Sequence, residues 1–186
     1  MRIVGGKYRG KKLMAPTHGG TRPTSDRTRE TIFNILLHNP LCGPRALQDK
    51  TVLDAFAGTG ALGLEAYSRG AKSVTFIENN KAILPILHSN IRAFDLPASC
   101  VLEQDVHRLS INTGAPFDIL FMDPPYHQDM IPMALEQLES KGWIAEEALI
   151  IIELAKEETL LLPPTLSLVM ERTSGAAKLL FCSVHT

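Results

Sequence analysis

The side chains best suited to chemistry lie in Phe117–Tyr126, FDILFMDPPY. Phe117 to Met122 reads as a short apolar strand that ends in Asp123-Pro124-Pro125-Tyr126. A purine exocyclic amine carries two N–H donors and a π-face. Asp123 offers carboxylate acceptors and no donor. Pro124 and Pro125 lack N–H groups and fix φ, so the chain stays extended and a backbone carbonyl is free to face a cleft. Two acceptors aimed at one amino group hold its nitrogen in place. They also stabilise the positive charge it gains while attacking an electrophilic methyl. Tyr126 adds an aromatic face for stacking, worth about 1–3 kcal/mol per base. No strong general base is required, because the proton can leave after the transfer. Asp-Pro-Pro also begins ordinary loops. What sets this one apart is its place at the end of an apolar strand, downstream of a glycine-rich turn.

That turn is Asp54-Ala55-Phe56-Ala57-Gly58-Thr59-Gly60-Ala61-Leu62-Gly63, which follows a short buried strand, Thr51–Leu53. Glycines at 58, 60 and 63 permit a tight strand-to-helix turn and let a ligand approach the backbone. The helix is expected to run to Arg69, with Gly70 ending it. A second strand, Ser73 to Ile77, leads to Glu78, where an acid grips ribose hydroxyls in doubly wound folds. A nucleoside ligand follows, and nicotinamide and S-adenosylmethionine sites share these features. Asp54, four residues before the first glycine, favours a methyl donor. Asn80 is a cap for the next helix, through about Phe94, with Pro85 marking a kink or a later start. Ser99–Leu102 reads as a third strand. Asp105 beyond it is either an acceptor for an adenine amino group or a plain turn residue. A helix from Pro132 to Lys141, a buried strand at Ala148–Leu154 and a closing hairpin, Leu166–Arg172 with Ala177–Val184, complete the pattern.

Charge is unevenly spread. Residues 1–29 hold eight of the 19 Lys and Arg (Arg2, Lys7, Arg9, Lys11, Lys12, Arg22, Arg27 and Arg29) against one acid, Asp26. The rest of the chain has 11 basic and 19 acidic residues. A basic arm on an acidic body suits a polyanionic substrate; a solvated tail is the plainer alternative. Residues 2–14 are expected to form a hairpin with one basic face, and Pro16–Gly20 a linker. Ser25 or Asp26 is suited to cap a helix with Ile32, Phe33, Leu36 and Leu37 inward. Arginines near a helix start oppose its macrodipole and are tolerable facing an anion. Arg22, Arg27 and Arg29 are therefore candidates for RNA phosphate or donor carboxylate, alongside a plain surface helix start.

Length, 186 residues, suits one α/β domain, 22–186, with an appendage at 1–21. There is no apolar run of about 20 residues for a membrane span. Met1–Gly6 has no apolar signal-peptide core, so a cytoplasmic location is expected. Cys42, Cys100 and Cys182 are far apart and lack CxxC spacing, and read as reduced thiols rather than metal ligands. His18, His38, His88, His107, His127 and His185 show no ligand spacing; His127 is a bystander beside the tetrapeptide. No heptad or broad apolar stripe suggests assembly, so a monomer is expected.

By Tyr126 the residues resemble the RsmD-type small-subunit ribosomal RNA methyltransferases, over nearly the whole chain. The Arg2–Leu13 arm and the Arg22-Pro23-Thr24-Ser25-Asp26-Arg27 segment are the specific part. The glycine loop and the tetrapeptide mark only the wider amino-methyltransferase class. The resemblance implies a Rossmann-like class I methyltransferase fold: a seven-stranded, mostly parallel sheet with its last strand antiparallel, plus the small N-terminal hairpin. It implies S-adenosylmethionine as donor, held by Asp54, Phe56, Gly58, Gly60, Glu78, Asn79, Asp105 and Val106. Asn79 stands where a second acid is common. Asp123, Pro124, Pro125 and Tyr126 are implied to hold the N2 of a guanine in 16S rRNA, with Tyr126 where many members carry Phe. Arg2, Lys7, Arg9, Lys11, Lys12, Arg22 and Arg27 are implied to meet rRNA, with ribosomal proteins implied to help present the target loop. The tetrapeptide alone fits DNA adenine N6 or a protein glutamine equally. A nicotinamide oxidoreductase leaves the tetrapeptide without a task, and a non-catalytic RNA-binding module leaves Asp54, Glu78 and Asp123 without one.

Overall fold

The computed structural model describes residues 1–16, 25–39, 46–125 and 130–184. In chain order the elements are α1 (Asp26–His38), β1 (Thr51–Asp54), α2 (Ala61–Ser68), β2 (Ser73–Ile77), α3 (Leu84–Arg92), β3 (Val101–Leu102), β4 (Phe117–Met122), α4 (Met130–Ser140), β5 (Ile144–Ala155), β6 (Leu166–Ser174) and β7 (Ala177–Val184). The strands form one seven-stranded sheet in the order β3-β2-β1-β4-β5-β7-β6. β1 to β5 pair in parallel, and β7 runs against both β5 and β6. The chain starts in the middle, works outward through β2 and β3, then returns to add β4 on the other side. The order therefore reverses between β1 and β4. That reversal opens a crevice beyond the carboxyl ends of the strands, the usual ligand position in such sheets.

Two apolar layers cover the sheet. One gathers Val52, Phe76, Ile119, Phe121, Ile151 and Phe181 with residues of α1, α2 and α3. The other gathers Leu53, Leu120, Met122, Ile150 and Ile152 with Ile131, Ala134, Leu135 and Leu138 of α4. Successive residues of β1, β4 and β5 alternate between the layers, as the two-residue period of a strand requires.

Four local differences from sequence expectation have physical reasons. Helix α3 begins at Leu84, the later start that Pro85 marks in the sequence, with the proline in its first turn, where a missing N–H costs nothing. Asn80 instead closes the turn before it, its Oδ1 accepting from Ala82 N at 3.0 Å. The third strand is only Val101–Leu102, because Ala98–Cys100 coils into a 3-10 turn. Helix α4 starts at Met130, with Pro132 again in a first turn. Strand β5 begins at Ile144, before the apolar run. Its opening residues pair with Phe117 across a register shift and leave Glu146 and Glu147 exposed.

The N-terminal arm is docked rather than loose. Arg2 and Lys12 form one antiparallel bridge, and Ile3 and Leu13 are buried in the α1–α3 layer. The fully buried Glu65 of α2 accepts from Val4 N and Gly5 N, both at 2.8 Å, and from Arg69 Nε at 2.7 Å. Ser68 Oγ accepts from Tyr8 N at 2.9 Å and donates to Gly5 O at 2.6 Å. Gly6 has a φ of 76° and lies so close to α2 that a Cβ would stand 1.9 Å from Ser68 O. Arg29 is a correction. It is fully buried rather than at the surface, and the anion it faces is the chain's own Asp26: it donates to Asp26 Oδ1 at 2.6 Å and to Arg2 O at 2.7 Å. The i,i+3 spacing on α1 sets the first contact, and the second ties α1 to the arm.

Candidate active site

A cleft of about 510 Å³ lies at the reversal between β1 and β4. It is lined from the β1–α2 side by Asp54, Phe56, Gly58 and Thr59, from β2 by Glu78 and Asn79, and from β4 by Asp123, Pro124 and Pro125. Ser25, Arg27 and Thr28 of the α1 start line it too, as do Glu153 and the β6–β7 turn. The sequence-derived donor and acceptor motifs thus share one cavity.

The glycine loop is held by backbone and by one carboxylate. Gly58 and Gly60 have φ of 54° and 81°, a left-handed region that glycine enters at no steric cost. Gly60 N donates to Ala57 O at 2.7 Å, closing the turn into α2. Gly63 serves packing: a Cβ there would meet Phe76 Cε1 at 2.5 Å and Val74 Cγ1 at 2.8 Å. Glu78 Oε2 accepts from Gly58 N at 2.8 Å, and Oε1 from Asn79 N and Asn80 N at 2.9 and 2.7 Å. An ionised carboxylate has about four lone-pair positions, so capacity for a ligand hydroxyl remains.

Asp54 forms the floor. Its Oδ2 accepts from Gly63 N at 2.9 Å, while its buried Oδ1 has no hydrogen bond among the described residues. Burial, with a smaller push from Glu78, raises its carboxyl from 3.8 to about 7. A buried acceptor with no partner at the base of a cleft fits a cationic, N–H-bearing ligand. The chemistry of the cavity therefore suits S-adenosylmethionine: an acid on the floor, an open glycine loop, and a carboxylate after β2.

Asp105 and Val106 lie outside the lining of this cleft. Asp105 Oδ1 accepts from His107 N at 3.0 Å and pairs with His107 Nδ1 at 2.9 Å. The His107 backbone N–H, more than its ring, holds the Asp105 carboxyl below the ordinary carboxylate value. Val106 is buried against the α4 layer. His107 links the two sides of the site: Nε2 lies 3.0 Å from Met130 O at the start of α4, and the ring packs against Phe56 at 6.1 Å. Sequence spacing gave no sign of this bridge, which depends on the 3-10 turn Val106–Arg108 and α4 meeting in three dimensions.

Asp123 is half-buried, Pro124 buried and Pro125 exposed. Tyr126 and His127 lie outside the described residues, as do Arg22, His18, His185 and Cys42. Ser25 Oγ caps α1 by accepting from Thr28 N at 3.0 Å, and Arg27 is exposed at the rim. In the arm, Arg2, Lys7, Arg9 and Lys12 are exposed. Lys11 is half-buried; it donates to Ala93 O and sits over the Tyr8 and Phe94 rings at 5.1 and 4.6 Å. Glu153 escaped the sequence reading. Its signal was available, as the single charge in the apolar run ALIIIEL. Among the described residues no cluster of His, Cys, Asp and Glu could hold a metal ion, and no helix is long and apolar enough to cross a membrane.

A sheet in this order, with a glycine turn after β1 and an acid after β2, defines the class I methyltransferase fold. A ribosomal protein L11 methylase from Lactobacillus delbrueckii subsp. bulgaricus shares that fold, with a TM-score of 0.62 at 16% identity, over 86% of this chain and 79% of that one. The chain belongs to the RsmD family, whose model, described as Conserved hypothetical protein 95, matches residues 1–183. The Ribosomal RNA small subunit methyltransferase D of Escherichia coli (strain K12) is 39% identical over 176 residues, covering 94% of this chain and 85% of the relative. The solved Escherichia coli protein yhhF superposes with a TM-score of 0.83 at 36% identity, over 100% of this chain and 98% of that one.

Proposed function

We propose that the protein transfers a methyl group from S-adenosylmethionine to the exocyclic N2 of a guanine in 16S rRNA of the small ribosomal subunit. The observation that carries this is the convergence of Asp54, the glycine loop, Glu78 and Asp123-Pro124-Pro125 on one cleft in an RsmD-family chain. Bound there, S-adenosylmethionine supplies an electrophilic methyl. Asp54, Phe56, Gly58, Gly60, Glu78 and Asn79 hold it, with Asp105 and Val106 shaping the wall behind Phe56 through His107. The guanine is taken out of its stack, at a cost of a few kcal/mol. Asp123 and the Pro124 carbonyl accept from its N2 and orient the nitrogen lone pair, and Tyr126 stacks on the ring. Positioning is the main catalytic contribution. The N2 proton passes to water after transfer. Arg2, Lys7, Arg9, Lys11, Lys12, Arg22 and Arg27 meet rRNA phosphates from the arm, residues 1–21, and the start of the catalytic domain. On this reading the chain works in the cytoplasm as a monomer, with ribosomal proteins helping to present the loop.

The test is methyl transfer from radiolabelled donor to small subunits lacking their modifications, with naked 16S rRNA, duplex DNA and a release-factor protein in parallel. Nucleoside digestion is expected to place the label on guanine N2. Label on adenine or on protein would leave the cleft's chemistry intact and overturn the acceptor.

A further inference from the structure

We infer that Glu153 reads the N1–H of the acceptor guanine, and so sets the choice of guanine over purines that bear the same amino group without that proton. The inference rests on the function proposed above and adds a specificity residue to it.

Position comes first. β4 and β5 pair in parallel with Met122 opposite Ile152, so Asp123 and Glu153 are the next neighbours at the carboxyl ends of adjacent strands. Ile152 and Leu154 belong to the α4 layer, which turns Glu153 to the opposite face, the one on which Asp54 meets α2. Glu153 lines the same cleft as Asp123 and is only 5% exposed. Its strand neighbours Ile150, Ile151, Ile152 and Leu154 are all buried and apolar, and Leu179 pairs opposite it on β7. An apolar side chain would fill such a place without desolvating a carboxylate, so the acid points to use.

Chemistry decides the use. The edge of guanine that carries N2 also carries N1–H, two adjacent donor groups. The matching edge of adenine presents an acceptor at N1 beside its amine. Carboxylates accept and do not donate when ionised. Adjacent strands lie about 4.8 Å apart, so Asp123 and Glu153 can each take one donor group of the same base. Adenine or 2-aminopurine would instead set its N1 lone pair against Glu153, leaving both acceptors unpaired.

The test uses the full chain and small subunits reconstituted with 16S rRNA carrying guanine or 2-aminopurine at the position the wild-type protein labels. Wild type is expected to prefer guanine by roughly tenfold or more, and Glu153→Gln, whose amide can donate to N1, to shrink that ratio by a similar factor. Donor affinity, by calorimetry with S-adenosylmethionine, is expected to stay within about twofold in Glu153→Gln, since only the base side is altered. Equal wild-type rates on the two bases overturn the inference whatever the variant does. An unchanged preference in Glu153→Gln also overturns it, as does lost donor binding in a variant that still folds. If wild type labels no guanine N2 at all, the proposed function fails, and this inference with it.

Discussion

The carboxylates along the cleft have different work, and Asp54 and Asp123 can each be tested singly. Asp54 titrates near 7 when folded and near 3.8 otherwise. Between those values the folded chain keeps a proton that the unfolded chain has lost. Stability from this group therefore falls as pH rises through the window, by roughly 4 kcal/mol. Asp54→Asn should gain stability on the wild type as pH rises from 3.8 to about 7, read by denaturant unfolding; parallel curves would mean the charge is not buried. A cationic donor favours the ionised form, so donor affinity should rise with pH over the same window in the wild type and stay flat in the variant. Asp123→Ala should abolish methyl transfer with donor affinity nearly unchanged; substantial residual activity would remove Asp123 from its assigned role. Asp54, Glu78 and Asp123 were legible in the sequence because each ends a short apolar strand or follows one. The settings of Glu65 and Arg29 were not, and Glu153, though it stands out as the one charge in its apolar run, carried no sign of what lies around it. A single charge inside a helix or strand pattern looks like a surface residue until the partner that encloses it is known.

Among the elements, the arm and α2 form one unit. Glu65→Ala would strand two backbone N–H groups and the Arg69 guanidinium. Loss of about 3–5 kcal/mol is expected by chemical denaturation, with faster tryptic cutting at Lys7 to Lys12. Gly6→Ala should loosen the same contact, because its Cβ has no room beside Ser68 and its φ disfavours any side chain. Donor affinity should survive both changes, since neither residue lines the cleft. The central strands, α1, and the closing hairpin could be read from apolar periodicity and caps. The short β3 and the early start of β5 could not. Two residues carry no periodicity, and the opening of β5 is set by its pairing with Phe117 rather than by its own pattern. Pro85 looks like a breaker in sequence and acts as a first-turn residue in space, while Pro132, which the sequence marks as a helix start, lies in the first turn of α4.

At the scale of the molecule, the basic arm stands against an acidic body, eight cations to one acid in residues 1–29. Changing Arg2, Lys7, Arg9 and Lys12 together to Ala should weaken RNA binding and reduce the salt slope by about 3, with donor affinity unchanged. An unaltered slope would make the arm plain surface. The way the arm is held has a kinetic side. The amides of Val4, Gly5 and Tyr8 are protected by side chains some 60 residues away rather than by neighbours within a strand. Their exposure to solvent exchange is governed by separation of the arm from α2, not by opening of the sheet. Deuterium uptake at these amides would then time the arm's release on its own clock, and RNA that grips the docked form would slow that clock while the β1 and β4 amides kept theirs.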